Sequence, residues 1–410
     1  MHQREIRTLS LLAVLTYLPV LTQPFLSDDY IQIHLGRFYG PVSAWPALAA
    51  DALYRCRATS IILTHWTEQA LGLAPLGFYL TAIALHAAAT CLLYLTAVRK
   101  LRMDGTASFF AAAFFAVYEG HQEAVMWYAS LPELLLFLAC LGFVWWWIDW
   151  MESGRPLHYA LALSCFVLAL LSKEPGVVLV PVAAGLLFWK RRIHLGLWIL
   201  PLAVLALIYT WGIFAAKADH LHLNDGTFSS SAPFILTWLR SLLRMFWFWG
   251  FLSLALIRWK TLPLPAVFWI AVSLLPYCFL TYMPHVPSRH IYLASAGMAL
   301  IVGVALAGMQ ERRWILTALF TAMLVHNIGY VWIKKRQQFL DRAEPTEHLL
   351  RIAREKGAPL TIGCFPYARE VAERAVEIML RWDAQKSLHW SKETGALNLC
   401  EMRAPASSKR

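Results

Sequence analysis

Residues 156–192 read PLHYALALSCFVLALLSKEPGVVLVPVAAGLLFWKRR. Two apolar runs, of 17 and 15 residues, flank Ser172-Lys173-Glu174-Pro175, and Lys190-Arg191-Arg192 closes the second. A helix needs roughly 20 apolar residues to cross about 30 Å of hydrocarbon, so each run is short for a span. Read as one crossing, the stretch would send every later loop to the other side and expose Lys190-Arg191-Arg192 outward. The basic residues favour two short spans with Ser172-Lys173-Glu174-Pro175 between them.

The same texture extends in both directions. Of 410 residues 59% are hydrophobic and only 15% charged, and Trp, Tyr and Phe number 19, 15 and 22. That composition excludes a soluble enzyme, a disordered scaffold and a disulfide-stapled secreted domain. Nucleic-acid binding is excluded as well, because the positive residues behind the net charge of +11 flank apolar segments and form no patch on a fold of their own. The chain reads as an all-α polytopic membrane protein with about eleven spans, at 8–26, 71–97, 106–118, 131–150, 156–172, 175–189, 194–214, 235–257, 262–282, 290–309 and 314–332. With the N-terminus inside, 13 of the 21 basic residues in 1–332 fall in cytoplasmic segments, among them Arg99, Lys100, Arg102, Arg155 and Lys190 to Arg192. The first span follows Arg4 and Arg7, and with no small-x-small site before Asp28 it reads as a retained signal anchor.

Charge density changes at Trp332. Residues 333–410 hold 15 Lys/Arg and 10 Asp/Glu, which separates a membrane domain (1–332) from a small soluble C-terminal domain (333–410) on the outer side. In it, a helix starting at Glu344-Pro345-Thr346, a strand over 359–365 and an amphipathic helix over 368–382 make a small α/β unit. Cys364 and Cys400 are candidates for a disulfide there, which spacing alone does not establish.

Ionisable groups in or beside spans cost several kcal/mol unless paired or wetted, which makes them candidates for function. Five clusters fall on the outer side. Asp28 and Asp29 follow the first span; adjacent carboxylates repel and want a cation or a proton, though an Asp also caps helices. Glu119-Gly120-His121-Gln122-Glu123 is a polar island, either an acid or metal site or an ordinary loop. Lys173 and Glu174 either neutralise one another at a helix end or hold a phosphate. Arg240 and Arg244, one helical turn apart, either snorkel to headgroups or reach inward. His285-Val-Pro-Ser-Arg289-His290-Ile-Tyr292 brings an arginine suited to gripping phosphate oxygens, unless it only anchors a helix end. The loop 214–234 adds Lys217, His220, His222 and Asp225. Together the clusters describe carboxylates for a proton or metal and cations for a phosphate.

In this order the motifs resemble the GT-C superfamily of glycosyltransferases. An Asp-Asp pair (Asp28, Asp29) follows the first span, His121-Gln-Glu123-Ala-Val125 precedes the fourth, Leu171-Ser-Lys173-Glu174 comes next, and Arg289-His-Ile-Tyr292-Leu-Ala-Ser-Ala-Gly297 ends the set. The similarity is greatest to the membrane part of the TMTC-type O-mannosyltransferases and their bacterial relatives. The chain departs from that branch at Ser130-Leu-Pro-Glu133, where Gly-Arg-x-Asp is usual, at His290 in place of Tyr, and in having no tetratricopeptide array.

The resemblance implies inverting transfer of a sugar from a polyprenyl-phosphate donor to an extracytoplasmic acceptor (protein, lipid or glycan), by an enzyme of the bacterial inner membrane with its site on the periplasmic side. Asp28 or Asp29 is then the base that deprotonates the acceptor hydroxyl. Lys173, Arg289 and the pair Arg240/Arg244 would stabilise the phosphate leaving group, with His121, Glu123, Glu174, His290 and Tyr292 as further substrate-binding candidates. Some branches use a divalent metal; Mg²⁺ or Mn²⁺ would suit the oxygen ligands Asp29, Glu119 and Glu123. Alternatives are a transporter or flippase of an anionic lipid or lipid-linked sugar, which predicts internal repeats that the sequence does not display, and a polysaccharide polymerase or ligase, which usually has one large outer loop. A purely structural scaffold would leave the charged clusters without a purpose.

Overall fold

The computed structural model describes residues 2–216, 226–281, 286–391 and 396–400, and within them the chain is overwhelmingly helical. His285 and the residues Lys217, His220, His222 and Asp225 lie outside the described residues. Each of the eleven apolar stretches forms helix, since a backbone in hydrocarbon must satisfy its own N–H and C=O groups. Among the described residues, six helical segments are long and apolar enough to cross a membrane: Gln3–Thr22, Pro75–Arg99, Tyr128–Ser153, Ile193–Ala215, Ser288–Ala307 and Arg313–Lys356. Four shorter apolar helices accompany them, Gly105–Val117, Pro156–Ser172, Glu174–Trp189 and Leu264–Phe279. The chain is a multi-pass integral membrane protein.

The stretch 156–192 runs to one end of the bundle and back. Lys190 Nζ meets Glu152 at 3.2 Å, Arg102 meets Glu152 at 3.5 Å, and Lys100 pairs with Asp149, all at the C-terminal end of the Leu131–Ser153 helix. Lys173 pairs instead with Glu133, near the start of that helix. At 1.5 Å per residue, Glu133 and Glu152 are about 28 Å apart along it. The reversal is built locally. Lys173 is extended (φ −167°, ψ 153°), Pro175 sits in the first turn of the helix that restarts at Glu174, where its missing N–H has no bond to lose, and Gly176 lies so close under Ala169 that a Cβ would stand 2.7 Å from its carbonyl carbon.

One stretch departs from the expected straight span. Residues 235–257 form two helices, Phe234–Phe246 and Trp249–Leu256, bent by 80° at Phe248, whose φ is +56°. The first carries Arg240 and Arg244 beside an apolar face, a pattern that rests along an interface better than it crosses one.

The most enclosed helix is Tyr292–Ala307, buried along nearly all its length. It lies against Gly105–Val117 with backbones close enough that a Cβ on Gly303 would come within 2.2 Å of the Ala107 carbonyl oxygen, the close approach that small residues permit between membrane helices. Between the first and second long helices the chain forms Asp29–Tyr39, Trp45–Ala50 and Ala58–Leu71 at the same end as Lys173.

The C-terminal helix does not begin at Glu344. Arg313–Gly329 continues through a π-helical turn, Tyr330–Lys335, into Arg336–Lys356, with Pro345 inside the helix. Phe339, Ala343, Thr346 and Leu350 recur at helical spacing and are buried, so the change of composition at Trp332 marks a change of surroundings and no break in the backbone. Beyond it, Leu360–Cys364 (β1) lies between Leu388–Trp390 (β2) and Leu397–Asn398 (β3), both parallel to it, and Cys364 is bonded to Cys400. The helix Arg369–Leu380 packs on Asp29–Tyr39, which docks this unit at the Lys173 end of the bundle.

In a background lacking the five free cysteines, Arg155→Cys and Arg191→Cys should both react with an impermeant thiol reagent from one membrane side, and Ser43→Cys from the other. Labelling of positions 155 and 191 from opposite sides would contradict the two-pass reading.

Candidate functional site

The twin aspartates have different surroundings. Asp29, fully buried at the start of its helix, accepts hydrogen bonds from Leu26 N (2.9 Å), Ala129 N (2.7 Å) and Tyr79 Oη (3.3 Å). Burial nevertheless pushes its pKa up to about 7. Its carboxylate is committed, tying the first loop to the turn before Leu131–Ser153. Asp28 makes no side-chain hydrogen bond among the described residues. Burial raises its pKa, while the guanidinium groups of Arg342, Arg289 and Arg57 pull the other way and Glu370 adds to the rise.

Beside it lies a buried ion-pair network. Glu133, 2% exposed, pairs with Lys173, 8% exposed, and accepts a 2.9 Å hydrogen bond from Tyr277 Oη. His290 Nε2 is 3.7 Å from the same carboxylate, and its ring stacks on Tyr277 at 4.5 Å. Burial lowers the pKa of Lys173, with Glu133 opposing. Glu174 accepts from Cys56 Sγ at 3.4 Å and faces Arg57.

The third part centres on Trp127. The guanidinium carbons of Arg342 and Arg289 lie 3.9 and 5.0 Å from its ring centroid. Arg289 N donates to Glu123 Oε2 at 3.1 Å, and its guanidinium approaches the same oxygen at 3.8 Å. Burial works against the charge of Glu123, but Arg289, Ser288 and Arg342 together outweigh it and hold the pKa below the ordinary range. Two buried N–H groups here, Trp127 Nε1 and Arg57 Nε, have no hydrogen-bond partner among the described residues. Orphaned buried donors are rare and call for an acceptor.

The remaining predicted residues lie apart from this mouth. Arg244 donates to the Val286 carbonyl at 2.9 Å and faces Glu119, whose pKa burial raises against Lys335 and Arg244. Glu119 lines a cavity of about 190 Å³ with Tyr118, Trp247, Trp249 and His326. Arg240, one turn earlier on the same face of the helix, is exposed. His121 and Tyr292 are enclosed in the bundle: His121 Nε2 bonds Ser295 Oγ at 2.6 Å, and Tyr292 Oη bonds His86 at 2.8 Å. Both are buried, so neither offers a face to a substrate.

The proposed metal ligands do not converge. Asp29 is held by three donors, Glu123 by Arg289, and Glu119 faces Lys335 and Arg244. Among the described residues no three His, Cys, Asp or Glu side chains gather as a metal site would require. The mouth therefore offers one unbonded carboxylate beside several guanidinium groups: a place for a proton acceptor next to an anion. Sequence reading overlooked Arg57, Tyr277, Trp127 and Arg342. Arg57 and Arg342 carried a signal, as cations that the fold would have to bury, but Arg342 stood in a stretch read as a separate domain.

No protein-family model matches the chain, and no curated protein matches it by sequence. Among solved structures it is similar to ArnT from Cupriavidus metallidurans, determined bound to undecaprenyl phosphate. Identity is 11%, the TM-score is 0.59, and the match covers 97% of this chain and 86% of that one. The chain has the GT-C fold, as its motif order implies.

Asp29→Ala strands two backbone N–H groups and a tyrosine hydroxyl, so it should destabilise the folded protein by about 2–4 kcal/mol, whereas Asp28→Asn should cost less than about 1 kcal/mol. Thermal unfolding in detergent measures both; equal losses would refute the division of roles. Lys173→Met should cost about 3–5 kcal/mol by leaving Glu133 buried without its cation.

Proposed function

We propose that the protein is an integral-membrane glycosyltransferase that moves a sugar from a polyprenyl-phosphate donor to an acceptor hydroxyl outside the cytoplasm, by inverting displacement. The observation that carries this reading is the Asp28 carboxylate, free of hydrogen bonds among the described residues, facing Arg57, Arg289 and Arg342 beside two buried N–H groups that lack acceptors. The GT-C fold supports it, as does the lipid phosphate in the similar ArnT structure.

In this reading Asp28 takes the acceptor's proton as the acceptor oxygen bonds to the anomeric carbon and the bond from that carbon to the phosphate oxygen breaks. A carboxylate whose pKa is raised above the ordinary Asp range is a better base. The leaving phosphate is already an anion, so fixed cations stabilise the charge it gains more than a proton donor would. Arg289, tethered through its backbone N–H to Glu123, is suited to that role. Lys173 is held by Glu133, and the pair fixes the helix reversal behind the site. Asp29 keeps the loop in register. Of the oxygen ligands considered for a metal, Asp29 and Glu123 already serve other partners, and these steps use only the chain's own side chains. The basic loops Arg99–Arg102 and Lys190–Arg192 stand about 28 Å from Glu133, which by the positive-inside rule favours an extracytoplasmic mouth.

Asp28→Asn should reduce sugar transfer by about 10²- to 10⁴-fold while the protein still inserts, followed as lipid phosphate released from a panel of polyprenyl-phosphate sugars. Full activity would refute the base assignment. Because the base works ionised and its pKa is raised, activity should be lost as pH falls through a value above the ordinary Asp range near 4. An acid limb at or below 4 would contradict this. Arg289→Ala should raise the donor KM about tenfold to a hundredfold.

A further inference from the structure

The C-terminal unit was expected to sit outside the membrane domain as an appendage, yet it delivers a cation into the mouth. Arg342 lies on Arg336–Lys356, which is continuous with the last apolar helix, so its position relative to the bundle is set by an unbroken backbone. Two further contacts hold it there: Tyr367 Oη donates to the Arg342 carbonyl at 2.5 Å, and Tyr30 Oη donates to Glu347 at 3.3 Å. Its guanidinium rests 3.9 Å from the Trp127 ring centroid and has no ion pair or side-chain hydrogen bond among the described residues.

We infer that Arg342 is a substrate-binding residue that grips the donor's phosphate together with Arg289 over Trp127, so that the C-terminal unit completes the donor site. This rests on the glycosyl-donor reading above. Both guanidinium carbons lie over one indole, no more than roughly 9 Å from each other by their distances to its centroid. Both guanidinium groups also act on the same two carboxylates, Asp28 and Glu123, which directs them to one anion site where a phosphate can accept from planar N–H forks. The indole of Trp127 serves as the platform, its N–H being buried at the ring edge, and the two guanidinium groups supply the donors. Stacking on the indole fixes the plane of each guanidinium while leaving its N–H edge free to donate. Arg342 also acts on the Asp28 carboxylate, which puts the phosphate grip next to the base that the transfer needs.

The test is binding of undecaprenyl phosphate and of the neutral alcohol undecaprenol to the full chain in detergent, read as ligand-dependent thermal stabilisation. Wild type should prefer the phosphate. Arg342→Ala should weaken phosphate binding about tenfold to a hundredfold and leave undecaprenol binding unchanged, with Arg342→Lys between, because an ammonium cannot present the planar fork. Trp127→Phe keeps an aromatic platform and should stay within a few-fold of wild type, whereas Trp127→Ala removes the platform and should lose more. Should Arg342→Ala not fold, Arg342→Gln and Arg342→Lys carry the same comparison. Arg342 variants that bind the phosphate within twofold of wild type, while Arg289→Ala loses it, overturn this inference alone. A wild type that does not distinguish phosphate from alcohol overturns the donor reading and this inference with it.

Discussion

The buried ion pair between Lys173 and Glu133 is the constraint around which the mouth is arranged. Glu133 sits one turn into a long apolar helix, and Lys173 sits where the chain reverses between two short ones. Either charge alone in that setting would cost several kcal/mol. Together they fix how far Pro156–Ser172 advances along Leu131–Ser153, and Tyr277 and His290 close the remaining sides. An apolar pair of the same volume would hold those helices as well. What it would not do is draw Tyr277 and His290 onto one carboxylate, and so set the surroundings of the neighbouring loops.

The two aspartates show how neighbouring identical side chains acquire different chemistry. Asp29 lies where two peptide N–H groups and a phenol converge, and three hydrogen bonds leave it little capacity to act on anything else. Asp28, one residue earlier, precedes the helix and faces guanidinium groups across open space. The difference arises from partners up to a hundred residues away, such as Ala129, and from a C-terminal helix that supplies Arg342. A carboxylate kept free of hydrogen bonds in a buried, cation-rich place is costly for folding, and such cost concentrates where chemistry is done.

Much of the architecture could be read directly. The apolar runs found their helices, and the reversal at Lys173 followed from basic residues at the far end of both short runs. Asp28, Lys173, Arg289 and His290, which the sequence puts on a common side, lie at one end of the bundle. His121 and Tyr292 stood in the same motifs but point into the bundle, where they bond Ser295 and His86. Motif order gives the loop on which a residue sits and says nothing of the direction its side chain takes. The 80° bend at Phe248 was hidden for a related reason, since an interfacial helix and a crossing one share the same composition.

By itself the sequence determined the solvent each segment requires: hydrocarbon for the apolar runs, and headgroups or water for the charged loops. These follow from transfer free energies that depend on local composition. Only the tertiary structure decided which charges neutralise one another and which are left to face a ligand. Pairing is a matter of a few ångströms between residues distant in the chain, such as Trp127 and Arg342, and no local property of either residue encodes that distance.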